Sequence, residues 1–76
     1  MEPVKIVTTR RQTVAQLTSE ALEENFDGCF FAVEHTGGSL EYKIVLTSSY
    51  KKLDENFISD IEQYARGYLA ALKAYV

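Results

Sequence analysis

The stretch CFFAVEHTGGSLEYKIVLT, residues 29–47, decides the fold of this 76-residue chain. Two segments with strand character flank Gly37-Gly38, and paired glycines adopt the positive φ angles that a two-residue hairpin turn requires. A turn at that position sets Glu34 opposite Glu41. The turn therefore predicts the register of the hairpin, and the register predicts which face of the sheet each side chain occupies.

Paired residues of a hairpin share a face, and the faces alternate along each strand. One face collects apolar side chains and is predicted to be the core face: Cys29, Phe31, Val33, Leu40, Tyr42, Ile44 and Leu46. The other face collects a mixed set: Phe30, Ala32, Glu34, Glu41, Lys43, Val45 and Thr47. We expect this hairpin to be buried on one side only.

The segments before the hairpin predict a strand and a helix. Residues 4–9 (VKIVTT) are rich in β-branched side chains, which favour a strand. Residues 13–26 open with capping-box spacing and continue with a helical apolar face, which Gly28 ends in a left-handed conformation. That apolar face comprises Val14, Leu17, Ala21 and Leu22. A shorter helix that begins at Thr18 or Ser19 is the alternative.

A long amphipathic helix follows the hairpin and runs from residue 53 to residue 76. Its apolar stripe is wide enough to cover a sheet. The stripe comprises Leu53, Phe57, Ile58, Ile61, Tyr64, Ala65, Tyr68, Leu69, Leu72 and Val76. Gly67 lies in the helix interior, where glycine costs about 1 kcal/mol relative to alanine. Its presence suggests that the first helix closely approaches the backbone there.

The predicted order is β-α-β-β-α, and residues 1–76 are expected to form a single α+β domain. A right-handed crossover makes the first two strands parallel and the third antiparallel to both, with both helices on one face of a three-stranded sheet. The other face stays open. Its predicted apolar island, an interface for a partner or a second copy in a homodimer, comprises Val7, Phe30, Ala32 and Val45. A second candidate interface, on the last helix, comprises Tyr68, Leu72 and Tyr75.

The composition is that of an ordinary globular domain, with 46% hydrophobic and 25% charged residues. The single cysteine excludes a disulfide within the chain and fits a reducing compartment. The chain has neither the apolar run of a signal peptide nor a stretch able to span a membrane. We therefore expect a cytoplasmic protein that does not act in a membrane.

The charges are unevenly distributed, although the net charge is only −3. Residues 12–42 contain no lysine or arginine. The acids in this window are Glu20, Glu23, Glu24, Asp27, Glu34 and Glu41. Acids at helical spacing can present a phosphate-like array to a basic protein surface, in the manner of small phage- or plasmid-encoded inhibitors. The window predicts a regulator or inhibitor of a protein partner; a merely solvated face is the alternative.

No catalytic, cofactor or metal pattern accompanies these features, and we expect a non-enzyme. Cys29 and His35 share a strand face but lie roughly 20 Å apart, beyond hydrogen-bond reach. The acids follow no calcium-loop or zinc-ligand spacing. A second hypothesis is single-stranded nucleic-acid binding through Phe30, Lys5 and Lys43 on the open face, although the acids there oppose phosphate. A third is an enzyme subunit whose chemistry lies in a partner chain.

Overall fold

The computed structural model describes residues 3–35 and 40–73 of the chain. Its elements are β1 (Val4–Thr9), α1 (Gln12–Asn25), β2 (Cys29–His35), β3 (Tyr42–Ser49) and α2 (Glu55–Lys73). The strands form one sheet in the order β1-β3-β2, and each neighbouring pair is antiparallel. Since β1 and β2 both run against the central strand, they run parallel to each other. The predicted α+β class and β-α-β-β-α order are confirmed.

Both helices cover the same face of this sheet, as predicted. The core cluster joins Ile44 and Leu46 of the central strand to Leu22 of α1 and to Ile61 and Ala65 of α2. All five side chains are fully buried. At the end of the molecule where α1 stops and α2 starts, aromatic rings join the helices. Phe26 meets Phe57 and Tyr64 edge-on, and in each pair the ring centroids lie within 6 Å of each other, at 5.9 and 5.7 Å.

From Phe31 to His35 the pairing of β2 with β3 differs from the predicted register by two residues, and at Cys29 and Phe30 it differs by three, because Thr47 is an extra residue of β3. Glu34 lies opposite Lys43, and Val33 lies opposite Ile44. Because side chains alternate with a period of two, a shift of two leaves each side chain on its predicted face and changes only its partner. The predicted pairing of Glu34 with Glu41 is therefore wrong. The proposed turn at Gly37-Gly38 lies outside the described residues.

A bulge in β1 overturns the predicted position of Val7. Lys5 pairs with Val45 on the open face, but Val7 pairs with Ile44 on the core face, so that Ile6 is the extra residue. Val7 is only 8% exposed and belongs to the core cluster. Its assignment to the apolar island of the open face is wrong, because strict alternation from Val4 onward does not allow for a bulge.

Leu40 is another exception to the predicted core. Its side chain is 81% exposed. The central strand begins only at Tyr42, so that Leu40 precedes the paired region and is not held against the helices. The other residues of the predicted core face pack in or against the core cluster.

The longer version of α1 is the observed one, but its start and its buried side differ from the prediction. Arg11, rather than Thr13, is the N-cap residue, and no side chain caps the helix there. The buried positions are Ala15, Thr18 and Leu22, whereas Leu17 is 46% exposed. The helix is thus rotated about its axis relative to the predicted apolar face.

Thr18 can be buried in this orientation, because its hydroxyl is hydrogen-bonded within the helix. The Oγ1 atom donates a hydrogen bond to the carbonyl of Val14 one turn earlier, at 2.7 Å. A buried hydroxyl with a partner avoids most of the cost of desolvation. A polar residue therefore occupies a fully buried position that the apolar pattern alone does not mark.

Three local features concern the turn after α1 and the helix α2. Gly28 has a φ of +83°, the left-handed conformation predicted for it, and lies two residues beyond the C-cap Phe26. Asp54 caps α2, since its carboxylate accepts a hydrogen bond from the Phe57 amide at 2.8 Å. Gly67 is exposed, and a Cβ there would meet nothing within 4 Å. The predicted close approach of α1 to Gly67 is wrong.

Candidate functional site

The acids of α1 form one exposed surface beside the free edge of the sheet. Glu20, Glu23 and Glu24 fall within about 100° of arc at the usual 100° or so per helical residue. Asp27 follows in the turn after the helix. All four side chains are exposed. We call these four residues the acidic surface.

Glu23 fixes the position of the acidic surface relative to the sheet. Its carboxylate accepts a hydrogen bond from the backbone amide of Phe31, at 3.1 Å. Phe31 lies in β2, which is an edge strand, and an amide bonded to α1 points away from β3. The acidic surface consequently borders the outer edge of β2.

The charges of the acidic surface are not neutralised within the part of the protein that the structure describes. None of its four carboxylates makes an ion pair with a lysine or arginine among residues 3–35 and 40–72. Glu20 and Glu24 are four residues apart on the helix, a spacing at which like charges repel by about 0.2–0.5 kcal/mol. The surface thus keeps its negative potential at a small cost in helix stability.

The other two predicted acids lie elsewhere. Glu34 projects from the open face and lies directly opposite Lys43 of the neighbouring strand. Glu41 lines a cleft at the far end of the molecule, together with Arg10 and Arg11. The six acids of the basic-free window therefore occupy three separate places, and only those of the acidic surface lie together.

The open face is less apolar than the sequence suggests. Val45 is only 5% exposed, and Ala32 is half-buried. Phe30 remains 45% exposed. Its ring contacts Tyr50, which is 86% exposed, edge-on at 5.8 Å between centroids. The exposed apolar part of this face is thus an aromatic pair.

Sequence reasoning missed Tyr50 because it placed residues 48–52 in a loop. The strand β3 in fact continues to Ser49. Ser48 pairs with Phe30, and Tyr50 follows two residues later on the same alternation. The Tyr50 amide also donates to the Gly28 carbonyl at 2.9 Å, which extends the pairing beyond the strand. Strict alternation from Val45 would place Tyr50 on the core face, but Thr47 is an extra residue of β3 that reverses the alternation, and no signal in the sequence marks this bulge.

The candidate surface on α2 is only partly exposed. Tyr68 is half-buried and stacks on Tyr64, with ring centroids 6.4 Å apart. Leu72 is also half-buried and lines, with Leu69, the same cleft as Arg10 and Arg11. That cleft has a volume of about 600 Å³. Tyr75, the third predicted residue, lies outside the described residues.

The residues with reactive or ligating side chains are dispersed. Cys29 is buried, and its Sγ atom lies 3.4 Å from Ser49 Oγ. His35, at the other end of β2, stacks on Tyr42 at 4.5 Å between centroids. Over residues 3–35 and 40–73, no three histidine, cysteine or acidic side chains are grouped so as to hold a metal ion.

In the same part of the chain, no helix has the length and apolar character needed to cross a membrane. Comparison of the chain with protein-family models, with curated proteins and with solved structures finds no match.

Proposed function

We propose that this chain is a small acidic, non-catalytic interaction module that binds a basic surface of a protein partner and regulates or inhibits it, in the cytoplasm. The observation that carries the proposal is the acidic surface itself. Glu20, Glu24 and Asp27 are exposed and lack an ion pair with the described residues, although eight basic residues are present in the chain.

An unneutralised cluster of this kind favours a partner of opposite charge. Complementary charges raise the association rate and select against partners of like charge. Because these carboxylates are exposed, salt screens them, and we expect the affinity to fall as ionic strength rises. Simple solubility would not require the acids to be gathered on one side of α1.

The proposed inhibition follows from the spacing of the acids. Carboxylates on neighbouring turns of a helix repeat about every 5–6 Å. A row of anionic oxygens at this spacing can occupy basic groups that otherwise hold nucleic-acid phosphates. A partner that uses its basic surface for nucleic acid would therefore be blocked by competition, without any chemical step.

The test uses charge reversal on two helices. Three forms serve as baits in a cell extract: the wild type, the pair Glu20→Lys with Glu24→Lys, and the pair Glu55→Lys with Asp60→Lys. Both double variants change the net charge by the same amount, but the second pair lies on α2. Glu23 is left unchanged because it also holds the edge of β2. Circular dichroism checks that each variant is folded.

We expect a protein that is retained by the wild type and by the α2 variant and is lost with the α1 variant. Titration of that protein in purified form should give an affinity at least about tenfold weaker for the α1 variant, which corresponds to about 1.4 kcal/mol. Equal binding by both folded double variants would contradict the proposed role of the acidic surface.

A second candidate function is single-stranded nucleic-acid binding on the open face. The pairing of Phe30 with the exposed Tyr50 favours it, because exposed aromatic rings stack on bases. Lys43 and Lys5 lie on the same face. Retention of a labelled oligothymidine that weakens with salt, and that is lost in Tyr50→Ala, would favour this function. We expect no retention, since the net charge is −3 and Glu34 opposes phosphate.

A further inference from the structure

The two edges of the sheet are built differently. At one edge, β1 is interrupted by its bulge at Ile6, which breaks the regular row of backbone groups. At the other edge, β2 pairs without a shift from Phe31 to His35. An uninterrupted edge strand presents its outward amides and carbonyls as a template for a further strand.

One outward amide of β2 is already occupied. Phe31 donates its amide to the carboxylate of Glu23 on α1. Alternate residues of a strand point their backbone groups to the same side, so that Val33 also presents its amide and carbonyl outward. Glu23 therefore occupies the outward amide at the start of this edge, whereas Val33, in its middle, is half-buried and is not reached by Glu23.

Acids lie on both sides of the β2 edge around Val33. The acidic surface borders it on the helix-covered side of the sheet, as the contact of Glu23 with Phe31 shows. Glu34 lies next to Val33 and projects on the open side, where it is exposed. In a strand added here, successive side chains would point alternately to the helix-covered side, toward the acidic surface, and to the open side, toward Glu34.

This charge distribution favours one kind of binding segment at the β2 edge over the others. Two copies of β2 placed edge to edge would bring two acidic surfaces together, which opposes a symmetric dimer at this edge. The β1 edge of a second copy is bulged and offers a poor pairing partner. An extended segment with basic side chains satisfies both the backbone groups and the carboxylates.

We propose that the edge of β2 accepts an extended basic segment of the partner as a fourth strand of the sheet. The inference rests on the proposed function and specifies its binding mode. The backbone of the segment pairs with Val33, and its basic side chains meet Glu20, Glu24 and Glu34.

The probe is an alternating lysine–threonine peptide about as long as β2, acetylated and amidated at its ends. Its control has the same sequence and charge but is methylated at every backbone nitrogen, so that it cannot donate ladder hydrogen bonds. Both peptides are titrated into the whole protein at low salt. Hydrogen exchange of the Val33 amide is measured by NMR with and without each peptide.

We expect the unmethylated peptide to bind at least about tenfold more tightly than its control and to slow exchange of the Val33 amide at least about tenfold. Equal binding of both peptides, with no protection of Val33, would overturn strand addition and leave the proposed function standing. Binding of neither peptide would overturn both. Protection of Val33 in the protein alone, with a dimeric molar mass, would assign the edge to a second copy and also overturn the inference.

Discussion

At the scale of single residues, Glu23 combines two roles that a sequence pattern cannot separate. As one of the acids of α1, it contributes to the negative potential of the acidic surface. Its hydrogen bond to the Phe31 amide also ties the helix to the edge strand. A variant that removes Glu23 therefore changes folding and binding together, which is why the binding test leaves it in place.

Gly67 provides a residue-scale test of the fold. It lies inside α2 with open space around the position of a Cβ, so that no contact requires glycine there. Gly67→Ala should raise the free energy of unfolding by about 0.5–1 kcal/mol, because alanine loses less backbone entropy on folding. Urea denaturation with an unchanged m-value would measure this gain.

Gly28→Ala is the matched control, because the same substitution there meets a φ of +83°. An L-residue in the left-handed region costs about 1–2 kcal/mol. Opposite signs for the two variants are expected. If Gly67→Ala lowered the stability, another part of the chain would have to pack against α2 at this position, which would contradict the open space seen there.

At this scale, sequence reasoning was limited by local exceptions to periodicity. Alternation along β1 places Val7 outward, but one extra residue in the strand turns it into the core. Helical spacing on α1 favours Leu17 as buried, but the hydroxyl of Thr18 finds its partner within the helix and takes the buried position. Neither a bulge nor an internal hydrogen bond leaves a signal in hydrophobicity alone.

At the scale of elements, the two helices differ in how their first turns are stabilised. Asp54 caps α2 through the Phe57 amide. The N-cap of α1 is Arg11, whose side chain makes no cap hydrogen bond and whose positive charge lies at the positive end of the helix dipole. The helix that carries the proposed binding surface is thus the less well capped of the two.

Arg11→Ser should therefore stabilise the protein by about 0.5–1 kcal/mol, because a serine oxygen can accept a hydrogen bond from the first turn. For a domain of this size, such a gain raises Tm by about 2–8 °C, which a thermal melt resolves. Arg11→Ala removes the charge without adding a cap and is the control. Equal Tm values for the two variants would show that a cap cannot form there.

The element order, the faces of the hairpin and the helix-covered side of the sheet were predictable, because each depends on periodicity and on the handedness of the crossover. The hairpin register was not, because it was inferred from one assumed turn at Gly37-Gly38. The shift by two residues kept Ile44 and Phe31 in the core and changed the electrostatics instead. Glu34 lies opposite Lys43 instead of Glu41, on the open face and not on α1 with the other acids.

At the scale of the whole molecule, the acids of α1 and the aromatic pair of the open face lie on different surfaces. The chain is small, and a domain of its length buries only about 60% of its unfolded surface, so that association through either surface would add to its stability. The predicted homodimer concerns the open face and can be tested separately from partner binding.

Phe30→Lys tests self-association. If the aromatic pair of Phe30 and Tyr50 closes a homodimer, a concentration series of the wild type by light scattering should approach twice the monomer mass. The variant should stay a folded monomer, because a buried lysine without a partner is strongly unfavourable. Ala70→Lys, at an exposed position of α2, is the control, because it changes the net charge by the same one unit. A wild type that is monomeric at every concentration would contradict the dimer.

The most direct test of the central claim is to locate binding on the molecule. Amide chemical shifts of the wild type are recorded during titration with the alternating lysine–threonine peptide. We predict changes confined to Glu20–Asp27 and to the outer edge of β2 around Val33. Changes centred on Lys43, Val45 and Tyr50 of the open face, or no changes at low salt, would contradict the account.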